Sequence, residues 1–264
     1  MHINKMSGKE WQAVLSLAAI YSARMLGLFM ILPVFSIYAA SLNGTTPFLI
    51  GLALGIYGLA QACLQIPFGL ASDFLGRKRI ILIGLILFAT GSVVAALSHT
   101  ITGVILGRAI QGTGAIGSTL TALLSDLTRE QHRIKAMSAI SMTIALSFTI
   151  SIMLGPLLDV FVGVDGIFWV CAGLAIVSIG VLWLLVPNAE RALFHSDTEL
   201  SPTHMREILH NKDLLLQDFG IFMLHAILTS TFIAIPIAIT RIVNFSIEYH
   251  GLIYLAALIP AFLF

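Results

Sequence analysis

An all-α, multi-span membrane protein is the fold class this sequence predicts, and three observations predict it. Of 264 residues, 58% are hydrophobic and only 10% are charged, whereas soluble domains carry roughly a quarter charged residues. The apolar residues gather into runs of about 20, the length a helix rising about 1.5 Å per residue needs to cross a hydrocarbon core roughly 30 Å thick. The basic residues fall almost entirely into alternate connections between those runs. A net charge of +1 gives no ground for a nucleic-acid partner. The lipid bilayer is the partner that composition implies.

Seven complete spans are predicted, at 11–40, 48–71, 79–98, 102–124, 136–158, 166–187 and 214–238, with an eighth starting near Gly251. The apolar stretch after Glu10 is too long for a signal peptide and lacks a cleavage site, so it is expected to be retained. Connections at 41–47, 99–101 and 159–165 contain no Lys or Arg. The others hold Lys5, Lys9, Arg77, Lys78, Arg79, Arg129, Arg133, Lys135, Arg191, Arg206 and Lys212, which is 11 of the 14 bases. By the positive-inside rule the N-terminus is cytoplasmic, as is the long polar segment 188–213. The expected organisation is a six-helix bundle at 1–187, a cytoplasmic linker at 188–213, and the start of a second bundle at 214–264. From Gly251 to Phe264 there are 14 residues, about 21 Å of helix and too short to cross. The chain is therefore expected to be the N-terminal part of a longer protein, cut within span 8. Cys63 and Cys171 both sit in apolar runs and are expected to fill the core. No spacing suggests a metal site, and no cofactor is expected.

The turn between spans 2 and 3 carries the most information. It reads Gly69-Leu70-Ala-Ser-Asp73-Phe-Leu-Gly76-Arg77-Lys78-Arg79. It resembles the signature loop of major facilitator superfamily transporters, Gly-x-Leu-x-Asp-x-x-Gly-Arg-Lys/Arg, with Gly69, Leu70, Asp73, Gly76, Arg77 and Lys78 in register. The resemblance implies two six-helix halves joined by a cytoplasmic linker, each half built from inverted three-helix repeats. It also implies secondary transport of a small molecule. Asp73 and Asp126 both lie at cytoplasmic helix ends, and Gly76 lets the chain turn. The Arg77 guanidinium is therefore expected to bridge the two carboxylates and tie span 2 to span 4. Gly69, Asp73, Gly76, Arg77 and Asp126 would then form a conformational latch. In the alternative, the bases only set orientation.

Inside the spans, charge is rare and informative, because an intramembrane charge costs on the order of 3 kcal/mol or more. Span 4 reads Arg108-Ala-Ile-Gln111-Gly112 and resembles the superfamily's Arg-x-x-Gln-Gly motif. Arg108 is expected to face a cavity, or else to snorkel to the outer interface. Gly112 permits close helix contact. Arg24 sits near the middle of span 1, where snorkelling is hard, with Gly27 and Pro33 able to bend the helix beyond it. The pattern from Arg24 to Pro33 resembles the first helix of the drug:proton antiporter group. In span 5, Gly155-Pro156 matches the antiporter Gly-x-x-x-Gly-Pro-x-x-Gly pattern, while Ser151 and Asp159 replace its outer glycines. Ala23-Arg24-Met-Leu-Gly27, Gln65-Ile-Pro67-Phe-Gly69 and Leu123-Leu-Ser-Asp126 resemble the YajR-type inner-membrane transporters of Gram-negative bacteria.

No span interior contains Asp or Glu. A proton-coupled mechanism therefore needs His225 in span 7, an end-placed acid such as Asp159, or an acid supplied by a further half. Arg24, Arg108, Gln111 and His225 are the candidates for the substrate and proton pathway. Two intramembrane arginines without an interior acid also leave open a preference for anionic substrates. An intramembrane enzyme is not expected, since the chain has no His-Glu-x-x-His helix and His225 has no spaced nucleophile. A third reading is a remnant that no longer transports. If the orientation is right, cysteine placed at Thr45 or His99 labels from outside intact cells. One placed at Ser138 or Asp197 stays unlabelled, and external labelling at Asp197 would invert the topology.

Overall fold

The computed structural model describes residues 5–188, 210–240 and 250–263, with side chains through 257. Helix α1 (Gly8–Ser41) opens with a capping box. The Glu10 amide donates to Ser7 Oγ at 3.2 Å, and the Ser7 amide donates to Glu10 Oε2 at 2.7 Å. These two bonds satisfy end donors that the helix itself cannot. Helix α2 (Pro47–Leu75) starts on a Thr46 cap followed by proline, whose missing N–H is harmless there. Gly76, at φ 93°, ends α2 and starts α3 (Arg77–Ala96). A side chain is strained at that φ, so the reversal without a longer loop depends on glycine.

The fourth crossing differs from the single span expected at 102–124. It consists of α4 (Ile101–Thr113) and α5 (Gly117–Leu127), broken at 114–116. The physical reason is the crossing with α3. A Cβ on Gly84 would collide with Ile116 Cγ2, and one on Gly114 would collide with the Gly84 carbonyl. The helix is interrupted where the two backbones touch. Spans 5 and 6 also differ from expectation. The 159–165 connection is helical almost throughout, so both lie in α6 (Glu130–Leu184), a 55-residue run with one break at Gly163, φ 68° and ψ 174°. Tyr38 Oη donates to Asp165 Oδ1 beside that break at 2.6 Å.

Helix α7 (Lys212–Ala238) begins on an Asn211 cap, and α8 (His250–Leu263) follows. Residues 189–209, most of the expected 188–213 linker, lie outside the described residues. Five of the helices are individually long and apolar enough to cross a membrane. The 13-residue α4 and 11-residue α5 supply a further crossing only in series.

Packing divides into two apolar clusters stacked along the bundle. One gathers Val14, Leu17, Ile20, Ile81, Leu85, Leu120 and Leu124 with their neighbours. The other gathers Val34, Phe35, Leu54, Phe88, Val104 and Phe168. Cys171 belongs to the second cluster. Cys63 does not fill the core as expected, because it lies on the outward surface of α2. An edge-to-face aromatic series, Phe29–Phe148–Phe232–Tyr254, runs from α1 through α6 to α7 and α8.

Glycine sets the closest approach between helices. A Cβ on Gly155 would collide with the Met30 carbonyl and stand 3.0 Å from Pro33 Cγ. Gly112 meets the Tyr57 carbonyl in the same way, and Gly27 faces Cys171 Sγ and Phe88 Cζ, each at 3.2 Å from a built Cβ. Pro156 is buried beside Gly155. Gly173, by contrast, has nothing within 4 Å of a built Cβ. Gly155→Ala should therefore lower stability in detergent by about 1–3 kcal/mol. Gly173→Ala should be neutral or stabilise by up to about 1 kcal/mol. Thermal unfolding of the two variants separates the cases.

Candidate functional site: a buried polar layer and an end clasp

Between the two apolar clusters lies a layer of polar side chains at mid-depth. Arg108 is 1% exposed, and its Nη1 donates to Gln111 Oε1 at 2.9 Å. Gln111 Nε2 in turn donates to Ser92 Oγ at 2.6 Å, and Ser92 Oγ donates to the Phe88 carbonyl at 2.7 Å. This chain of donors closes on backbone. The Arg108 guanidinium also lies over the Tyr57 ring, 4.6 Å from its centroid, an attraction between the cation and the electron-rich ring face. Arg108 does not reach an outer interface. It points into the bundle.

Arg24 is 2% exposed on α1. Its Nη2 donates to Tyr57 Oη at 3.2 Å and to Gln61 Oε1 at 3.1 Å. Tyr57 thus joins the two guanidiniums, one at its hydroxyl and one at its ring. Among the described residues neither arginine has a carboxylate partner. Buried N–H groups at Arg24 Nε, Arg24 Nη1 and Arg108 Nε have no hydrogen-bond acceptor. Ser22 and Ser147 share a 2.5 Å hydroxyl contact between α1 and α6, and Ser151 Oγ donates to the Leu26 carbonyl at 3.2 Å. The structure brings Arg24, Arg108 and Gln111 into one layer. It leaves His225 apart on the exposed surface of α7, where Nδ1 pairs with the Ile221 carbonyl at 2.9 Å.

At one end of the bundle, Arg77 lies between two carboxylates. Its Nη1 pairs with Asp73, and its Nε donates to Asp126 Oδ2 at 3.2 Å. Its Nη1 also donates to Ser72 Oγ at 2.6 Å. Asp126 is only 7% exposed, so this contact is partly shielded from water. Gly69 lies against Ser118, with a built Cβ 3.4 Å from its Oγ.

A second ion pair at the same end went unnoticed in the sequence. Glu10 Oε1 accepts from the Arg129 amide and Nε, each at 3.0 Å, and Oε2 accepts from Nη2 at 2.9 Å. Its one sequence signal is the Ser7-x-x-Glu10 capping box. Tyr57, Gln61 and Gln65 were also missed, although their spacing of four puts them on one face of α2.

Glu10 precedes the apolar run 11–40, on its aqueous side. The Arg129 side chain, with help from backbone donors, holds the Glu10 carboxyl well below the usual carboxylate range against the opposing effect of burial. The same bond raises the Arg129 guanidinium above its ordinary value.

A bundle of long apolar helices with a buried polar layer and a charged end clasp defines a polytopic membrane protein. The match to the family model described as Major Facilitator Superfamily covers residues 17–264. The chain belongs to that superfamily. It is 44% identical over 262 residues to the inner membrane transport protein YajR of Escherichia coli (strain K12), covering 99% of this chain and 58% of that protein. It is 33% identical over 134 residues to the quinolone resistance protein NorA of Staphylococcus aureus (strain Mu50), covering 50% of this chain and 33% of that protein. A solved bacterial homologue of the human lysosomal transporter Spinster, inward-facing and occupied, superposes with a TM-score of 0.79 at 17% identity. That superposition covers 96% of this chain and 59% of the other, and it shows the shared fold alone.

The Glu10 geometry has a pH consequence. A depressed folded-state pKa stabilises the fold above the unfolded value of about 4.3, and the effect is lost as pH falls below it. Glu10→Gln should therefore lower the melting temperature at pH 7, with the gap to the unaltered protein shrinking steadily as pH falls below about 4.3. Melting curves in detergent across that range check this.

Proposed function

We propose that this chain forms the first half, and the opening of the second, of a secondary active transporter in the bacterial inner membrane. By this reading it exports a small molecule in exchange for protons. The observation that carries the proposal is the pair of buried guanidiniums, Arg24 and Arg108, in a layer of neutral polar groups within a superfamily bundle. Buried charge in a span is costly and marks a transport pathway more often than a structural need. The likeness to a quinolone resistance protein and to an inner membrane transport protein supports the export reading and the location. Alternating access proceeds by rocking one half against the other, with the N-terminus in the cytoplasm. The 188–213 linker joins the halves, and His225, an end-placed acid such as Asp159, or an acid in further spans carries the coupling proton.

In the same proposal the Arg77–Asp73–Asp126 cluster is a conformational latch. It fixes the inner ends of α2, α3 and α5 as one surface, against which the second half docks when the cytoplasmic side is closed. An exposed ion pair contributes about 0–1 kcal/mol, and at the shielded Asp126 arm a stronger attraction is set against the cost of desolvation.

A second reading, anionic rather than cationic cargo, is favoured by the lack, among the described residues, of a carboxylate beside either arginine. The test, in a full-length version that supplies the second half, is flux into inverted membrane vesicles energised with a proton gradient, using one cationic dye and one organic anion, with and without a protonophore. Proton-dependent flux of either supports the proposal, and flux of neither in correctly inserted protein rejects it. Arg108→Ala should abolish flux while expression persists. Arg77→Lys, which keeps charge but loses the planar fork, and Asp73→Asn should each reduce flux about tenfold, consistent with losing a charge-assisted bond. Normal flux in both latch variants would reduce the loop to a topology signal.

A further inference from the structure

The two buried arginines are not equivalent. Arg108 is locked: its contacts to Gln111 and Tyr57 end in a hydrogen-bond chain that closes on the Phe88 backbone. Arg24 is held by a single nitrogen, Nη2, through two bonds of 3.1 and 3.2 Å to neutral groups. Its Nε and Nη1 are buried and have no acceptor among the described residues. One turn along α2 from Gln61, Gln65 Oε1 is likewise buried without a donor. Gln61 and Gln65 are only half-buried, so this strip reaches the edge of the bundle, whereas the Arg108 cluster does not.

We infer that Arg24 is the binding group for an oxyanion carried by the substrate, with Tyr57, Gln61 and Gln65 as its neutral partners and Arg108 positioning Tyr57 from below. This rests on the transport reading and deepens it by naming the cargo's charged group. A dehydrated guanidinium with unused donors gains most from a negatively charged oxygen, because an oxyanion adds direct charge attraction in a water-poor site and can accept two parallel N–H bonds. A cationic ligand would face two uncompensated positive charges within one layer. A neutral ligand could fill the hydrogen bonds but would leave the charge unbalanced.

The probes are sodium benzoate for an organic carboxylate and sodium phosphate for an inorganic oxyanion. Benzamide serves as the neutral isostere and tetraphenylphosphonium as the cation. Thermal unfolding of the intact protein in nanodiscs is followed against each, with ionic strength matched by sodium chloride. A saturable rise in melting temperature with benzoate and none with benzamide is expected. An equal rise with phosphate would assign the site to small oxyanions generally, and a rise with benzoate alone to organic acids.

Arg24→Gln should raise the half-saturating concentration at least about tenfold. Gln61→Glu places a carboxylate on Arg24, so it should keep or raise the basal melting temperature while losing the benzoate response. Arg79→Gln, at an exposed position outside this layer, should leave the response intact. No response to either anion in the unaltered protein would overturn the inference, as would a response that survives both Arg24→Gln and Gln61→Glu. Proton-driven export of a cation with no anion response would remove this inference alone. Anion binding without any flux would remove the transport reading instead.

Discussion

Two guanidinium groups buried between apolar clusters are the constraint around which the rest of this bundle is arranged. Neither Arg24 nor Arg108 meets a carboxylate among the described residues, so neutral groups must do what a counter-ion would otherwise do. Tyr57 serves both arginines at once, and Gln111 and Ser92 relay the remaining demand to backbone. That arrangement requires α2, α3 and α4 to lie unusually close. Gly91, Gly107 and Gly112 make it possible, since a Cβ at any of them would stand within 3 Å of a neighbouring helix backbone. The polar layer thus explains the glycines of the fourth crossing and contributes to its break at 114–116.

The clasp at one end acts differently, by many small contacts rather than one large one. Arg77 joins α2, α3 and α5. Lys78 Nζ donates to the Val186 carbonyl at 2.6 Å and to Asn188 Oδ1 at 2.7 Å, capping the end of α6. Gln12 Nε2 reaches the Leu185 carbonyl at 2.9 Å from α1. Together with Glu10–Arg129, these bonds connect α1, α2, α3, α5 and α6 at that end. Individually such contacts contribute little. As a network they hold these helix ends together, as the alternating access proposed above would require.

Much of this was legible in the residues. Apolar run length gave the crossings, alternating basic loops gave an orientation to test, and the Gly69–Arg79 turn pointed to the superfamily. Arg24 and Arg108 stood out because charge is scarce in the spans. What escaped notice has physical causes. Tyr57, Gln61 and Gln65 are neutral, and neutral polar residues in an apolar run raise no alarm unless read at helical spacing. The break at 114–116 depends on contact with Gly84, a residue 30 positions earlier, and no local pattern encodes that. The expected 159–165 connection shrinks to a break at Gly163, because a single residue of positive φ reverses the chain between two helices.

The bond between Glu10 and Arg129 also sets an order of events. The partners are 119 residues apart in sequence. At a synthesis rate of about 5–20 residues per second, roughly 6–24 s separate their emergence from the ribosome. For that interval Glu10 has only its Ser7 cap and water. The first span therefore enters the membrane with its leading end unsecured. It is fastened only after α5 has been made, so the start of the chain waits on residues from its middle.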